Sequence, residues 1–216
     1  MDDIVKQALA KWPNVPNCYG WLALDARGNW RMRDERAQQL NLPGDKLTNT
    51  ALVGFITRNY AVDERGCWYF QNGPQRVYVQ LEATPYIVRT DPAAGWLLHT
   101  GAPLDPVEHA VLTDTGALIL CSGAIVAQLD DRDFAQVLPL LHIDGAPAGD
   151  EALLAWLDGT DNAAPTLTLK LTDQERETVI ERVPAAALAQ RFGFVSVPAA
   201  PASAPIFAAG GQTDRG

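Results

Sequence analysis

The chain of 216 residues is 47% hydrophobic, 20% charged and 8% aromatic, and 17 Lys and Arg against 26 Asp and Glu leave a formal charge of -9. That composition excludes collagen-like, coiled-coil and wholly disordered chains, and the length, about one or two domains, lets a core form without metals or disulfides. A surface this acidic also excludes a general nucleic-acid binder, because neutralising phosphates needs clustered Lys and Arg.

The acidity is one-sided. Residues 1–91 carry eleven Lys and Arg against ten Asp and Glu, whereas residues 92–216 carry six against sixteen. Cys18, Cys67 and Cys121 are odd in number, widely spaced and outside any Cys-x-x-Cys pair, so free thiols are expected. Met1-Asp2-Asp3 offers no basic start for an export signal, which with the cysteines predicts a cytoplasmic protein.

In chain order, Ile4, Ala8 and Trp12 at helical spacing predict a helix over residues 3–12, ended by Pro13. Residues 19–24 and the alternating pair Trp30 and Met32, joined by Asp25-Ala26-Arg27-Gly28, read as a hairpin. Arg27, Arg31, Arg33 and Arg36 gather around Trp30, with Asp34 and Glu35 among them, and are expected on a solvated hairpin of mixed charge. After a loop at Pro43-Gly44, capping residues 48–50 open a helix whose stripe is Leu52, Phe55, Ile56 and Tyr60. Asp63-Glu64-Arg65-Gly66 turns into Trp68-Tyr69-Phe70, Asn72-Gly73-Pro74 turns again, and Val77, Val79 and Leu81 alternate with polar residues as one dry face. A short strand over residues 86–89 then closes a first unit.

Strand, Asp-x-Gly turn and strand return over residues 111–120, comparable with residues 21–32. A strand over residues 125–129 follows, then a helix capped near Asp130 and limited by Pro139, and a second helix capped by Asp150. Leu167, Leu169 and Leu171 alternate as a strand, residues 178–183 pair with it, residues 184–190 form a helix, and residues 194–197 form a last strand. The uncharged run 192–213 is broken by Pro198, Pro201 and Pro205, and is read as a tail rather than a membrane span.

These elements predict an α+β fold of two related units of antiparallel β-hairpins with short helices, an internal duplication. The expected parts are a helical segment (1–16), a first α+β domain (17–91), a linker (92–107), a second α+β domain (108–198) and a flexible Pro/Ala-rich tail (199–216). Asp-Gly turns at Asp25/Gly28, Asp63/Gly66, Asp114/Gly116 and Asp144/Gly145 mark the repeat, although such turns suit any antiparallel sheet.

The residues Gly66-x-Trp68-Tyr69-Phe70, Gly73-Pro74, Arg76-Val77-x-Val79 and Glu82-x-x-Pro85-Tyr86 resemble the bacterial domain of unknown function 1285 family. Arg33-Asp34-Glu35-Arg36 stands where that family has Gly-Ser-Pro-Ile, and Leu81-Glu82-Ala83-Thr84-Pro85 replaces Val-Glu-Asp-Ala-Pro, so the resemblance is that of a distant relative or sister family. It implies a two-part α+β fold with repeated motifs, a part in signalling or ligand binding, and no catalytic residue to carry over.

No nucleotide-binding or nucleophile-elbow motif is present, and His99, His109 and His142 lack metal-site spacing, so no metal and no cofactor is expected. Asp130, Asp131 and Asp133 read as helix capping. The first unit is rich in aromatic rings and arginines, and some of these fall on the solvent face of its hairpins. Trp30, Arg31, Trp68, Arg76, Tyr78, Glu82 and Arg89 are therefore the candidate ligand-binding residues, with Glu82 expected to meet Arg76 and Arg89 on one sheet face. They point to a non-enzymatic protein that binds a small anionic or aromatic ligand or a protein partner. The charge asymmetry favours head-to-tail association into a homo-oligomer. The alternative is a hydrolase-like enzyme using Glu82, Arg76 or a Cys/His pair.

Overall fold

The structure, a computed structural model, describes residues 1–159, 165–170 and 177–201. Leu171 and residues 202–216 of the expected tail lie outside the described residues. The first half runs α1 (Asp3–Lys11), β1 (Cys18–Leu24), β2 (Trp30–Met32), α2 (Glu35–Gln39), β3 (Asp45–Lys46), α3 (Thr50–Arg58), β4 (Tyr60–Val62), β5 (Trp68–Asn72) and β6 (Gln75–Leu81). Then come β7 (Tyr86–Asp91), β8 (Gly95–Leu98), β9 (His109–Thr113), β10 (Leu118–Ser122), β11 (Ile125–Leu129), α4 (Phe134–Val137), β12 (Leu141–Ile143) and β13 (Ala146–Pro147). The described chain ends with α5 (Asp150–Asp158), β14 (Leu167–Lys170), β15 (Glu177–Val183) and α6 (Leu188–Phe192).

The fold is α+β with two sheets, of order β3-β2-β1-β6-β5-β4 and β13-β12-β14-β15-β9-β10-β11-β7-β8. Antiparallel hairpins are joined by parallel pairs of β1 with β6, β7 with β11 and β9 with β15, so both sheets are mixed. One strand order occurs twice: β2-β1-β6-β5-β4 in the first sheet and β8-β7-β11-β10-β9 in the second. In each, a hairpin sets its first strand parallel to the last strand of a three-stranded meander. This corrects the expected register of the repeat. The β9–β10 hairpin corresponds to β4–β5, not to residues 21–32, and the partner of β1–β2 is β7–β8.

Locally the elements follow their residues. Asn49 caps α3 by accepting the amide of Leu52 at 3.0 Å, and Gly193 ends α6 in the left-handed conformation at φ 66°. Asp150 opens the first turn of α5, where its charge suits the helix dipole, and the cap position is Gly149. On α3 the expected stripe is displaced: Ile56 is buried while Leu52 is 38% exposed.

Residues 92–107, expected as a linker, carry β8 and bury Trp96, Leu98, Leu104 and Val107. The strand over residues 86–89 likewise belongs to the second sheet, so the chain changes sheets at residues 82–85 rather than after 91. The two sheets share a core. Leu24, Trp30, Val79 and Leu81 of the first pack with Val111, Ile119, Cys121 and Val183 of the second. Alternate residues of the same strands, Leu112, Leu118 and Leu120, face the opposite side and pack with Val137, Leu153 and Trp156. β9 and β10 are thus dry on both faces, which explains their unbroken apolar runs, and each fully buried Leu contributes about 1.5–3 kcal/mol. The segment expected as a last strand returns to the first sheet instead: Val195 N–H donates to Gly66 O at 2.9 Å, and Ser196 O accepts from Leu81 N–H at 2.8 Å. Residues 17–91 and 108–198 therefore do not close as separate cores.

No helix among the described residues is long and apolar enough to cross a membrane.

Candidate cleft on the outer face of the first sheet

Strand alternation divides the candidate residues between two faces. Trp30 is 2% and Trp68 9% exposed, both on the inner face, where Tyr60, Tyr86 and His99 surround them. Their placement on a solvent face is thereby corrected: they are core. Arg31, Arg76, Tyr78 and Glu82 lie on the outer face, but in two separate groups.

The first group is a closed stack. Tyr78 lies flat on Tyr19, ring centroids 4.5 Å apart, and Arg76 sits 4.5 Å over Tyr69. Asp63 accepts from the Tyr78 hydroxyl at 2.9 Å, from Arg65 at 2.9 Å and from the Cys67 amide at 2.9 Å. Burial alone would raise the Asp63 carboxyl, but the Cys67 amide, Arg65 and Tyr78 together hold it below the usual carboxylate range. Tyr69 and Tyr78 are buried in this stack and Tyr19 is half-buried.

The second group lines a cleft of about 360 Å³. Its floor is Ala23 of β1, Arg31 of β2, Arg33 just beyond it, Gln80 of β6, and Glu82 one residue past the end of β6, where its amide still donates to Leu24 O at 3.0 Å. Its roof is Asn41, Leu42 and Pro43. The roof stays in place because Arg33, 6% exposed, is bonded to it: its Nε donates to Leu42 O at 3.0 Å and its Nη2 to Ala37 O at 3.4 Å and to Asn41 Oδ1 at 3.3 Å. Its Nη1 donates to Gln80 Oε1. All four acceptors are neutral, and among the described residues Arg33 forms no ion pair. Arg33 is therefore withdrawn from the solvated hairpin expected around Trp30, while Arg27, Asp34, Glu35 and Arg36 remain exposed on it. Residues 33–46 form a strap, with α2 and β3 inside it, over a buried cation.

Arg31 stands beside it, its Nε donating to Asp25 Oδ2 at 2.7 Å and its Nη1 to Gly44 O at 3.1 Å. Asp25 also accepts from the Arg27 and Asn29 amides and the Asn29 side chain. Burial would raise this carboxyl, yet the bonds from Asn29, Arg31 and Arg27 hold it below the ordinary value, so it is charged at neutral pH. A guanidinium has five N–H donors, so one Nη1 hydrogen of Arg33 and the Nη2 group of Arg31 remain for a ligand. Glu82 is exposed, accepts from the Ala26 amide at 3.2 Å, and forms no ion pair among the described residues.

The expected meeting of Glu82 with Arg76 and Arg89 does not occur. Arg76 is in the ring stack, and Arg89 is on β7 of the second sheet, in a smaller cleft with Arg27, His99 and Asp130. Glu82 also borders a groove of about 410 Å³ between the sheets, with Thr113, Gln128 and Ser196. Arg33, Asn41 and Gln80 were missed because a single sequence does not show the strap folding back over the sheet. For Arg33 and Gln80 the one signal was period-two spacing, from Arg31 and from Glu82, and Asn41 had none.

Among the described residues no three His, Cys, Asp or Glu gather to hold a metal. Asp130 caps the turn that follows it by accepting from the Arg132 amide at 3.1 Å, and Asp133 takes the Thr90 amide at 2.8 Å. No hydroxyl, thiol or imidazole lines the cleft. Its chemistry is that of two guanidinium groups and two carboxylates.

No curated protein matches the chain. A solved structure, a DUF1285 family protein from Silicibacter pomeroyi DSS-3, is similar to it at 12% identity and a TM-score of 0.44, over 87% of this chain and 98% of that one. That is the family which the motifs of residues 66–86 resemble. The family described as protein of unknown function (DUF2946) matches residues 1–199, and the chain belongs to it.

Proposed function

We propose that this protein binds a small anionic ligand in the cleft between the first sheet and its 33–46 strap, without transforming it. One observation carries the reading: the wall of the cleft holds a buried guanidinium, Arg33, that faces only neutral acceptors among the described residues. A buried charge is costly unless paired, and a carboxylate or phosphate entering the cleft supplies the missing charge. Arg31 adds a second, partly exposed guanidinium, and the lining holds no hydroxyl, thiol or imidazole, which favours binding over catalysis. An aromatic ligand is disfavoured, because Trp30, Trp68 and Tyr78 turn their rings into the protein.

The test is thermal unfolding with butanoate or inorganic phosphate at low salt. At tenfold the dissociation constant, the stabilisation by mass action raises Tm by roughly 3–6 °C. Saturable stabilisation that Arg31→Gln or Arg33→Met abolishes supports the reading. No shift with either anion, or a shift that both variants keep, overturns it.

A further inference from the structure

We infer that the ligand is a zwitterion of the amino-acid class, its carboxylate held at Arg33 and Arg31 and its ammonium at Glu82. The inference rests on the anion site proposed above and goes beyond it by assigning the opposite end of the cleft.

The cleft holds two carboxylates in different states. Asp25, buried, is bound by Arg31, by two amides and by the Asn29 side chain, and has no role left for a ligand cation. Glu82 is exposed, receives one backbone N–H, and forms no ion pair among the described residues. A lone carboxylate at the rim repels a simple anion and attracts an ammonium group, so a purely anionic ligand would be opposed where a zwitterion is not.

The strand fixes the spacing. Arg33 is bonded to the Gln80 side chain, and Glu82 follows two residues on, just past the end of β6 but still tied to β1 by its amide, which donates to Leu24 O at 3.0 Å, so the two positions lie about 7 Å apart along the chain. The positive anchor, Arg33 with Arg31 across the sheet from Gln80, and the negative anchor, Glu82, are therefore separated along the cleft. A short chain with a carboxylate at one end and an ammonium at the other matches both anchors. The roof at Leu42 and Pro43 supplies apolar contact for its methylenes.

The experiment titrates the full chain by calorimetry with three probes that share a four-carbon chain: butanoate, butylamine and 4-aminobutanoate. The expected result is that 4-aminobutanoate binds at least tenfold more tightly than butanoate, and that Glu82→Gln brings the two within twofold. Glu82 is exposed, so this variant is expected to fold, and the comparison of probes on the unaltered protein stands even without it. Equal binding of butanoate and 4-aminobutanoate overturns the zwitterion while leaving the anion site. A preference that survives in Glu82→Gln overturns the assignment to Glu82. Binding of none of the three, together with no shift by phosphate, overturns the anion site itself.

Discussion

Asp25 and Asp63 occupy one position in two copies of the same turn. Each Oδ1 accepts the amides two and four residues onward: Arg27 at 3.0 Å and Asn29 at 2.8 Å in the first copy, Arg65 at 3.0 Å and Cys67 at 2.9 Å in the second. In each, an arginine bonds the other oxygen, Arg31 to Asp25 and Arg65 to Asp63. The third copy replaces Asp with Thr113, whose hydroxyl accepts the Ala117 amide at 2.9 Å. Because these bonds require a side-chain acceptor rather than a charge, Asp63→Asn should cost less than Asp63→Ala. For Ala, which leaves two amides and the Tyr78 hydroxyl without their acceptor, urea unfolding should show a loss of about 2–3 kcal/mol.

The glycines closing two of these turns separate conformational cost from steric cost. Gly66 and Gly116 both have positive φ, 77° and 81°. A Cβ on Gly66 would stand 2.1 Å from Gly193 O, whereas one on Gly116 meets nothing within 4 Å. Gly116→Ala should therefore cost only the left-handed backbone penalty, about 1–2 kcal/mol. Gly66→Ala adds displacement of the Val195 segment and should lose more than about 3 kcal/mol, measured by denaturant midpoints at unchanged slope.

His99 makes stability depend on pH. Its ring lies among Trp30, Tyr60 and Tyr86, its Nδ1 accepts the Ile87 amide at 3.2 Å, and burial pushes its pKa from 6.5 down to about 4. The folded-state value is the lower one, so between about pH 4 and 6.5 the unfolded chain binds the extra proton. The stability contribution is complete above pH 6.5 and is lost as pH falls toward 4, on the order of 3 kcal/mol in all. His99→Asn keeps an acceptor for the Ile87 amide without titrating. Its unfolding free energy, measured from pH 7 to 4.5, should fall less steeply than that of the unaltered protein, and parallel curves would exclude this role for His99.

Arg33 should act on the strap apart from any ligand. Arg33→Met keeps the buried stem but removes the bonds to Ala37, Asn41, Leu42 and Gln80. Hydrogen exchange should then rise at the amide of Leu42, which donates to Ala37 O, more than at Val79 in the core. A uniform rise across both sheets would mean that Arg33 supports the whole fold rather than the strap.

What the sequence determined by itself was local: the turns, because Asp and Gly at fixed offsets satisfy amides and take positive φ within a few residues, and the strand faces, because side chains alternate. Thus Arg31 and Glu82 were legible as outer-face residues, and the α+β class and the capping by Asn49 and Asp130 were legible too. Alternation says that two faces differ but not what covers either, and there the tertiary structure decided. Tyr86 to Leu98 joined the second sheet because β7 pairs in parallel with β11, some forty residues away. Trp30 and Trp68 turned inward because a second sheet lies against them, and Arg33 became a buried cation because its own strap folds back over it. Such contacts between distant segments leave no periodic trace in the chain, since each depends on which surface another segment presents. The excess of acidic residues after residue 91 is written in the sequence, but the cleft between the sheet and residues 41–43 was made only when the strap closed over the sheet.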